Sequence, residues 1–412
     1  MSGATALLRC RAAAVALAGR RALGSASGGA AHPPPAPPID TIPPERWRVV
    51  RALLRDDHEA LDARLPALLA MLDERGAGEC WHKHGTFKEH LVDTHNVLKL
   101  WGQPEALCRL GLFHSAYSNS YVNLAIFDAA KDRPLVAAAI GARAEALTHK
   151  LCVVPRHSIV WDGLAEEGRI PPDGLTVEHI HTREPVWLSP SELRHLLVFT
   201  MADIAEQYAG WYDEVFDYPR SGAIFAKGAA QTTHGHEPAA LWPGACRPGL
   251  WVSHVARLAR AAASVPADAD VGGAPLPPVL NACTATLEPA AELAARDLYV
   301  SVTNGAVDGA GSGAAARGDA AARLRDAHAL NPHVGEPLTV LSQCLLADGD
   351  FGGAERAAAR ALELHAGWGT SWDKRMRWAG WLAWTRVLLA RARAREPWPQ
   401  SAWAAVNLGL VR

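Results

Sequence analysis

Between Trp81 and Tyr121 the chain reads WHKHGTFKEHLVDTHNVLKLWGQPEALCRLGLFHSAYSNSY, with apolar residues every three to four positions and two of its five histidines falling in the same phase. That period is the signature of packed amphipathic helices. Thr86 can cap a helix through its hydroxyl, and Glu89 three residues later completes a capping box, so a helix is predicted from Phe87. On it Phe87, His90, Leu91, Thr94, Val97, Leu98 and Trp101 share one face, which turns His90 inward. His95 falls about 140° further round, beside Lys88 and Lys99, and is expected on another side. Gly102 ends this helix and Pro104 suits the first turn of the next. There Leu107, Leu110, Gly111 and His114 sit at i, i+3, i+4 and i+7, so His114 points at the same core as His90.

Helical spacing continues on both sides of this stretch. From Pro43 to Leu72 two helices are predicted, broken near Asp56-Asp57, and a single helix is predicted from Asp132 to Leu151. LTVEHIHTREPVWLS alternates like strands, giving a β-hairpin over Leu175 to Leu188, with His179 and His181 on one side. Ser189-Pro190-Ser191-Glu192 is a strong helix start. In that helix Leu193, Leu196, Leu197, Thr200, Asp203, Ile204 and Gln207 lie together, and a carboxylate on an apolar side needs a partner because burying it alone is costly. Tyr208 to Gly249 reads as irregular, followed by helices over Leu250 to Ala263 and Asn281 to Val300.

NGAVDGAGSGAAARGDA is low in complexity and reads as a flexible linker, 303–320. Beyond it, Leu346 to Ala354 carries the Leu-x-x-Gly-Asp-Phe-x-x-Ala core of one tetratricopeptide-like helix-turn-helix unit. One such unit cannot bury both of its faces. Helices over Ala314 to Leu330 and Trp372 to Arg395 are therefore expected to stack on it. Seven of the fifteen tryptophans fall between Trp368 and Trp403, and Trp378, Trp381 and Trp384 with Leu388 follow one helical face, as packing residues would.

Composition excludes some functions. With 41 Lys+Arg against 43 Asp+Glu there is no basic excess or stripe, so no nucleic-acid partner is expected. No apolar run reaches the 18 residues or so that a membrane span needs, and the expectation is a soluble mature protein without a membrane partner. Seven scattered cysteines without a C-x-x-C pair read as free thiols in a reducing compartment. The first forty residues hold Arg9, Arg11, Arg20 and Arg21, no acid before Asp40, and a Ser/Gly/Ala then Pro-rich tract. This is the profile of an organelle transit peptide, mitochondrial rather than plastid. A low-complexity disordered tail on a cytoplasmic protein is the competing reading.

Two neutral imidazoles and a carboxylate converging on one core suit a divalent cation such as Zn, Mn or Fe. Each of these side chains alone would read as a hydrogen-bonded core residue; three on three helices argue for a site. The order His90, then His114 followed by a small polar residue, then Asp203 within Met201-Ala-Asp203, resembles the HD superfamily of metal-dependent phosphohydrolases. GTFKEHL, LWGQPE and GLFHSAYSN are similar to an uncharacterised family of HD-like domains with tetratricopeptide-like C-terminal regions. The resemblance implies His90, His114 and Asp203 as metal ligands. Position 115 departs from it: Ser115 stands where the family's doublet has Asp, which argues against a binuclear site and leaves a mononuclear one open to water or phosphate. Asp128, Asp132 and His149 are reserve ligands if the intervening loop folds back.

The expected fold class is thus mainly α: an HD-like helical domain (43–302) with a small β-hairpin, the linker, and a tetratricopeptide-like helical region (321–412). One functional reading is a metal-dependent phosphohydrolase, or a relic of one, on a nucleotide or other small phosphorylated molecule. The alternative is a non-catalytic scaffold that binds a protein partner through its C-terminal helices. His82, His84 and His95 could steer an anionic substrate, His179 and His181 could close over it, and the Gln231-Thr-Thr-His-Gly-His236 loop could bind metal; ordinary polar surface explains each of these as well. No Gly-rich phosphate loop, G-x-S-x-G elbow or H-E-x-x-H is present.

Overall fold

A computed structural model describes residues 41–82, 85–208, 247–266, 274–280, 286–304, 314–399 and 401–408. Its first helices are α1 (Pro44–Leu54), α2 (His58–Leu61) and α3 (Leu65–Glu74), three where two were predicted. The extra one arises because Asp57 caps its own short turn, accepting from the Ala60 amide at 3.2 Å, while Asp62 turns extended before α3. A two-residue ladder not foreseen in the sequence, β1 (Trp81–His82) against β2 (Gly85–Thr86), leads into α4 (Phe87–Leu100). The capping box forms as expected: the Glu89 amide donates to Thr86 Oγ1 at 3.2 Å and the Thr86 amide to Glu89 Oε2 at 2.8 Å.

After Gly102 the chain reverses into α5 (Glu105–Phe113). Here Gly111 permits close approach, since a Cβ at that position would lie 2.5 Å from Leu98 Cδ1. The helix predicted from Asp132 to Leu151 is broken into α6 (Arg133–Ile140) and α7 (Ala142–Val153) by Gly141, whose φ of +96° no helix tolerates. A π-helical stretch (Ser158–Leu164) and α8 (Ala165–Glu167) follow. The hairpin forms where predicted, β3 (Leu175–Glu178) pairing antiparallel with β4 (Pro185–Leu188) and Leu175 opposite Leu188.

At the centre lies α9 (Pro190–Gln207), started by the Ser189–Glu192 capping box and buried at every position from Leu193 to Glu206. A helix covered all round has neighbours on every side, and α4, α5 and α10 (Val252–Ala263) pack on it. The first amides of α10 are satisfied from another helix: Val252 and Ser253 donate to the two oxygens of Glu292 at 2.8 and 2.9 Å. Glu292 stands on α11 (Pro289–Thr303), fully buried, and burial pushes its carboxyl pKa up.

The C-terminal helices are α12 (Ala314–Leu330), α13 (Glu336–Ala347), α14 (Phe351–Trp368), α15 (Trp378–Ala394) and α16 (Ala402–Leu408). Helix α12 begins inside the tract read as linker. Between α13 and α14 the chain turns at Gly349 (φ +79°), and Asp350 caps α14 by accepting from the Gly353 amide at 2.9 Å. One apolar cluster runs from Ile42 through Leu98, Leu197, Val255 and Leu341 to Ala392 and joins these helices to α4, α9 and α10, while a second, including Leu65, Leu91, Phe113 and Val136, holds α3, α5 and α6. Tryptophans knit it together. Trp101 Nε1 donates to the Trp368 carbonyl at 2.9 Å, Trp368 Nε1 to the His333 carbonyl at 2.6 Å and Trp372 Nε1 to the Gly249 carbonyl at 3.0 Å.

His95 corrects the phase argument: it is fully buried, and burial lowers its pKa to about 4. Helix α4 is enclosed by α1, α5, α9 and α14, so more than one of its faces is interior. Cys80, Cys108, Cys152 and Cys344 are free thiols. Among the described residues no helix is long and apolar enough to cross a membrane. The segment read as a transit peptide, most of the irregular tract 208–249 and the Gln231 to His236 loop lie outside the described residues.

His365 gives the fold a pH-dependent element. Its Nε2 meets Thr339 Oγ1 at 3.0 Å in a buried set with Thr385, and burial depresses its pKa to about 3. The unfolded chain binds this proton below about pH 6.5 and the folded chain does not, so stability falls as pH drops through 6.5 toward 3. Between pH 6.5 and 4 the unfolding free energy of wild type, from urea titrations, should therefore fall more steeply than that of His365→Gln, by up to about 1.4 kcal/mol per pH unit. Parallel slopes for the two proteins would refute this.

Candidate metal centre

Three helices, α4, α5 and α9, bring one side chain each to a common point. His90 comes from the first turn of α4, His114 from the residue closing α5, and Asp203 from the penultimate turn of α9. All are buried, at 5%, 3% and 7% exposure, and ligand-type atoms of the three lie within 4.8 Å of one another. Nε2 of His90 is 3.1 Å from Nε2 of His114 and 3.5 Å from Asp203 Oδ1.

The partners of the other ring nitrogens decide what those two Nε2 atoms are. His114 Nδ1–H donates to the Gly111 carbonyl at 2.7 Å, and His90 Nδ1–H donates to Glu206 Oε2 at 2.5 Å. A neutral imidazole carries one hydrogen, so both Nε2 atoms present lone pairs, and they face each other. Two lone pairs at 3.1 Å repel unless a positive charge lies between them. A proton there would need one ring to become an imidazolium; burial drives the His114 pKa down to about 3, and His90 faces the carboxylates of Glu206 and Asp203. A four-coordinate ion with bonds of about 2.0–2.1 Å sets its ligand atoms about 3.3 Å apart, close to the spacings seen.

Asp203 is held in place independently. Its Oδ2 accepts from Arg156 Nη2 at 3.0 Å and its Oδ1 from Gln207 Nε2 at 2.7 Å. Arg156 is itself buried, with its guanidinium 5.1 Å from the ring centre of Tyr121 and 5.0 Å from that of Phe199. Its Nε–H has no hydrogen-bond acceptor among the described residues. The imidazole of His82 lies beside that of His90, ring centres 4.7 Å apart.

The remaining sequence candidates are not part of this cluster. Ser115 is buried, but its hydroxyl accepts from Asn119 Nδ2 at 2.8 Å and so ties down the following loop. His149 lies edge-on to Tyr117 at 6.0 Å, with its pKa lowered by burial. Asp128 pairs with Lys131 at 3.0 Å and Asp132 with Arg75 at 3.4 Å, both toward the surface, so the loop does not fold back as a reserve ligand set requires. His95 Nδ1 meets Asn96 Oδ1 at 3.1 Å. His179 caps the hairpin turn, its Nδ1 accepting from the His181 and Thr182 amides at 3.1 and 3.2 Å. His84 lies outside the described residues.

Two residues of the site escaped the sequence reading, Glu206 and Arg156. Glu206 stands three positions after Asp203, one helical turn on, and that spacing was a usable signal. Arg156 had none, since it reaches Asp203 from the helical turn that leads into the π-helical stretch, 47 residues away.

Residues 71–156 match a family model described as a domain of unknown function (DUF6817). The match includes His90, His114 and Arg156 and stops short of Asp203. No curated protein and no solved structure matches the chain.

Proposed function

We propose that this is an HD-like metal-binding protein in which His90, His114 and Asp203 hold one divalent cation, and that the site is a metal-dependent phosphohydrolase centre, or the relic of one, for a nucleotide or small phosphoester. The observation that carries the reading is the convergence of three buried ligand-type atoms within 4.8 Å, with the Nδ1 atoms of both imidazoles turned to other partners. Carboxylate–histidine pairs such as Glu206–His90 are what orient and strengthen metal-binding imidazoles. When bound, a divalent cation lowers the pKa of a coordinated water toward neutrality and polarises a phosphoryl oxygen.

The chain's own groups divide the remaining work. Glu206 holds the His90 tautomer, the Gly111 carbonyl holds that of His114, and Gln207 and Arg156 fix the Asp203 carboxylate. Arg156 Nε–H, a buried donor without an acceptor among the described residues, suits a phosphoryl oxygen. The engagement of the Ser115 hydroxyl with Asn119 supports a mononuclear site. The tetratricopeptide-like reading of α13 and α14 and the targeting of the protein to an organelle, mitochondrial rather than plastid, are parts of the same proposal.

Glu206→Gln tests it. Gln keeps the shape but removes the charge, and affinity for Zn or Mn, read by competition with a chromogenic chelator, should weaken about 10–100-fold. Wild type loaded with Mn is assayed in parallel on p-nitrophenyl phosphate, its bis ester and nucleoside monophosphates. Turnover supports the enzyme, tight binding without turnover assigns the relic, an unchanged affinity in Glu206→Gln rejects the orienting role of Glu206, and absence of binding to wild type rejects the ligand set.

A further inference from the structure

On the C-terminal helices the structure holds a second feature of a different chemical kind: an open pocket of 280 Å³ formed by α12, α13 and α14. Its floor is apolar, made by Leu338, Leu341 and Leu345, each buried in the helix pair beneath. Its rim is cationic. Arg325, Arg356 and Arg360 stand around it with their side chains exposed, and Asp350 is the one acid among the lining residues.

These arginines are not committed elsewhere. Neither Arg325 nor Arg356 has an ion-pair partner among the described residues, and Arg360 meets Glu363 at 2.9 Å with both side chains about half in solvent, a contact of small energy. Asp350 is already engaged in capping α14. His328 also lines the pocket; its Nδ1 is buried without a hydrogen-bond partner among the described residues, and burial lowers its pKa to about 4, so it is neutral and adds no charge. Three positive charges against one negative, on a chain whose net charge is −2, form a local field of opposite sign to the whole.

The size of the pocket narrows the occupant. Sites that enclose a cofactor or drug-sized ligand run from about 300 to 1,000 Å³. At the bottom of that range and open to solvent, this one takes a single large apolar side chain. An apolar anchor in a pocket ringed by arginines is the arrangement of a protein-binding hot spot. A nucleic acid would need an extended basic stripe, not a rim around leucines.

We propose that this pocket docks an acidic peptide segment of a partner protein, one leucine- or phenylalanine-sized side chain seated on Leu338, Leu341 and Leu345 and flanking carboxylates paired with Arg325, Arg356 and Arg360. The site is separate from the metal centre and does not depend on that reading.

The test uses the full chain and four fluorescein-labelled twelve-residue peptides rich in Asp and Glu, each with one central Leu, Phe, Ile or Met, read by fluorescence anisotropy at low salt. At least one should bind with Kd below about 100 μM. Changing its acids to the amides should weaken binding at least tenfold, as should changing the central residue to Ser. Arg356→Glu and Arg325→Glu, exposed positions where folding is expected to survive and is checked by thermal melting, should each weaken it about tenfold, whereas chelator treatment should leave it unchanged. The proposal is overturned if all four acidic peptides fail to bind wild type, if the amide version binds as well, if neither Arg variant changes affinity, or if tripolyphosphate displaces the peptide at equal concentration, which would assign the rim to a small anion instead.

Discussion

Purified His114→Ala should contain less than about 0.1 equivalent of transition metal where wild type contains about one, because three protein ligands plus water is a minimal catalytic-type set and removing one leaves too few. The substitution also removes the ring that faces His90 Nε2 at 3.1 Å and leaves the His90–Glu206 pair in place. Metal-linked stability should vanish with the metal. Wild type at a metal concentration of 100 times its Kd gains about 2.7 kcal/mol, and the variant should gain none, so its melting temperature should not respond to added Zn or Mn. His114 packs against Phe199, ring centres 5.0 Å apart, so the alanine will also cost some packing. His114→Gln, which nearly preserves volume, separates the two effects: it should melt close to metal-free wild type and still bind no metal. Wild-type protein below about 0.1 equivalent, reconstituted and assayed alongside, or unchanged content in both variants, would sink the metal reading.

The second large effect concerns Trp372, buried at 1% exposure between α14 and α15. Its Nε1 reaches the Gly249 carbonyl ahead of α10, and its backbone amide donates to Glu336 Oε1 at 2.6 Å. Trp372→Ala removes the indole from the apolar cluster that runs from Ile42 to Ala392 and strands a buried carbonyl, at a cost of about 3–5 kcal/mol. Against a total stability of about 5–15 kcal/mol this is a large fraction. Because the C-terminal helices share that cluster with α4, α9 and α10, these elements should unfold together, and circular dichroism should report the same midpoint as fluorescence of the metal-site region. Two separated transitions, the earlier confined to the C-terminal helices, would show that those helices fold as an independent unit.

Local chemistry was legible in the sequence wherever one helix face met one neighbour. The Thr86–Glu89 and Ser189–Glu192 capping boxes and the 175–188 hairpin stand where their residue patterns put them, since caps and turns are decided within a few residues of chain. Periodicity failed where a helix is enclosed. His95 looked outward by phase because its neighbours Lys88 and Lys99 are polar, yet α4 is covered on several sides and His95 is buried. Gly141 is the second case: a glycine inside a helical pattern is tolerated until its φ turns positive, which the sequence does not record.

For the candidate centre the division is similar. By itself the sequence indicated that His90 and His114 turn inward from adjacent helices and that Asp203 lies on the apolar side of a later one, because 100° per residue leaves those side chains little choice of face. Only the tertiary structure decided that Glu206 takes one ring nitrogen, that the Gly111 carbonyl takes another, and that Arg156 crosses 47 residues to hold Asp203. The reason is physical: helical phase is a local property of the chain, whereas hydrogen-bond partners belong to whatever backbone and side chains the packing of distant helices brings within about 3 Å.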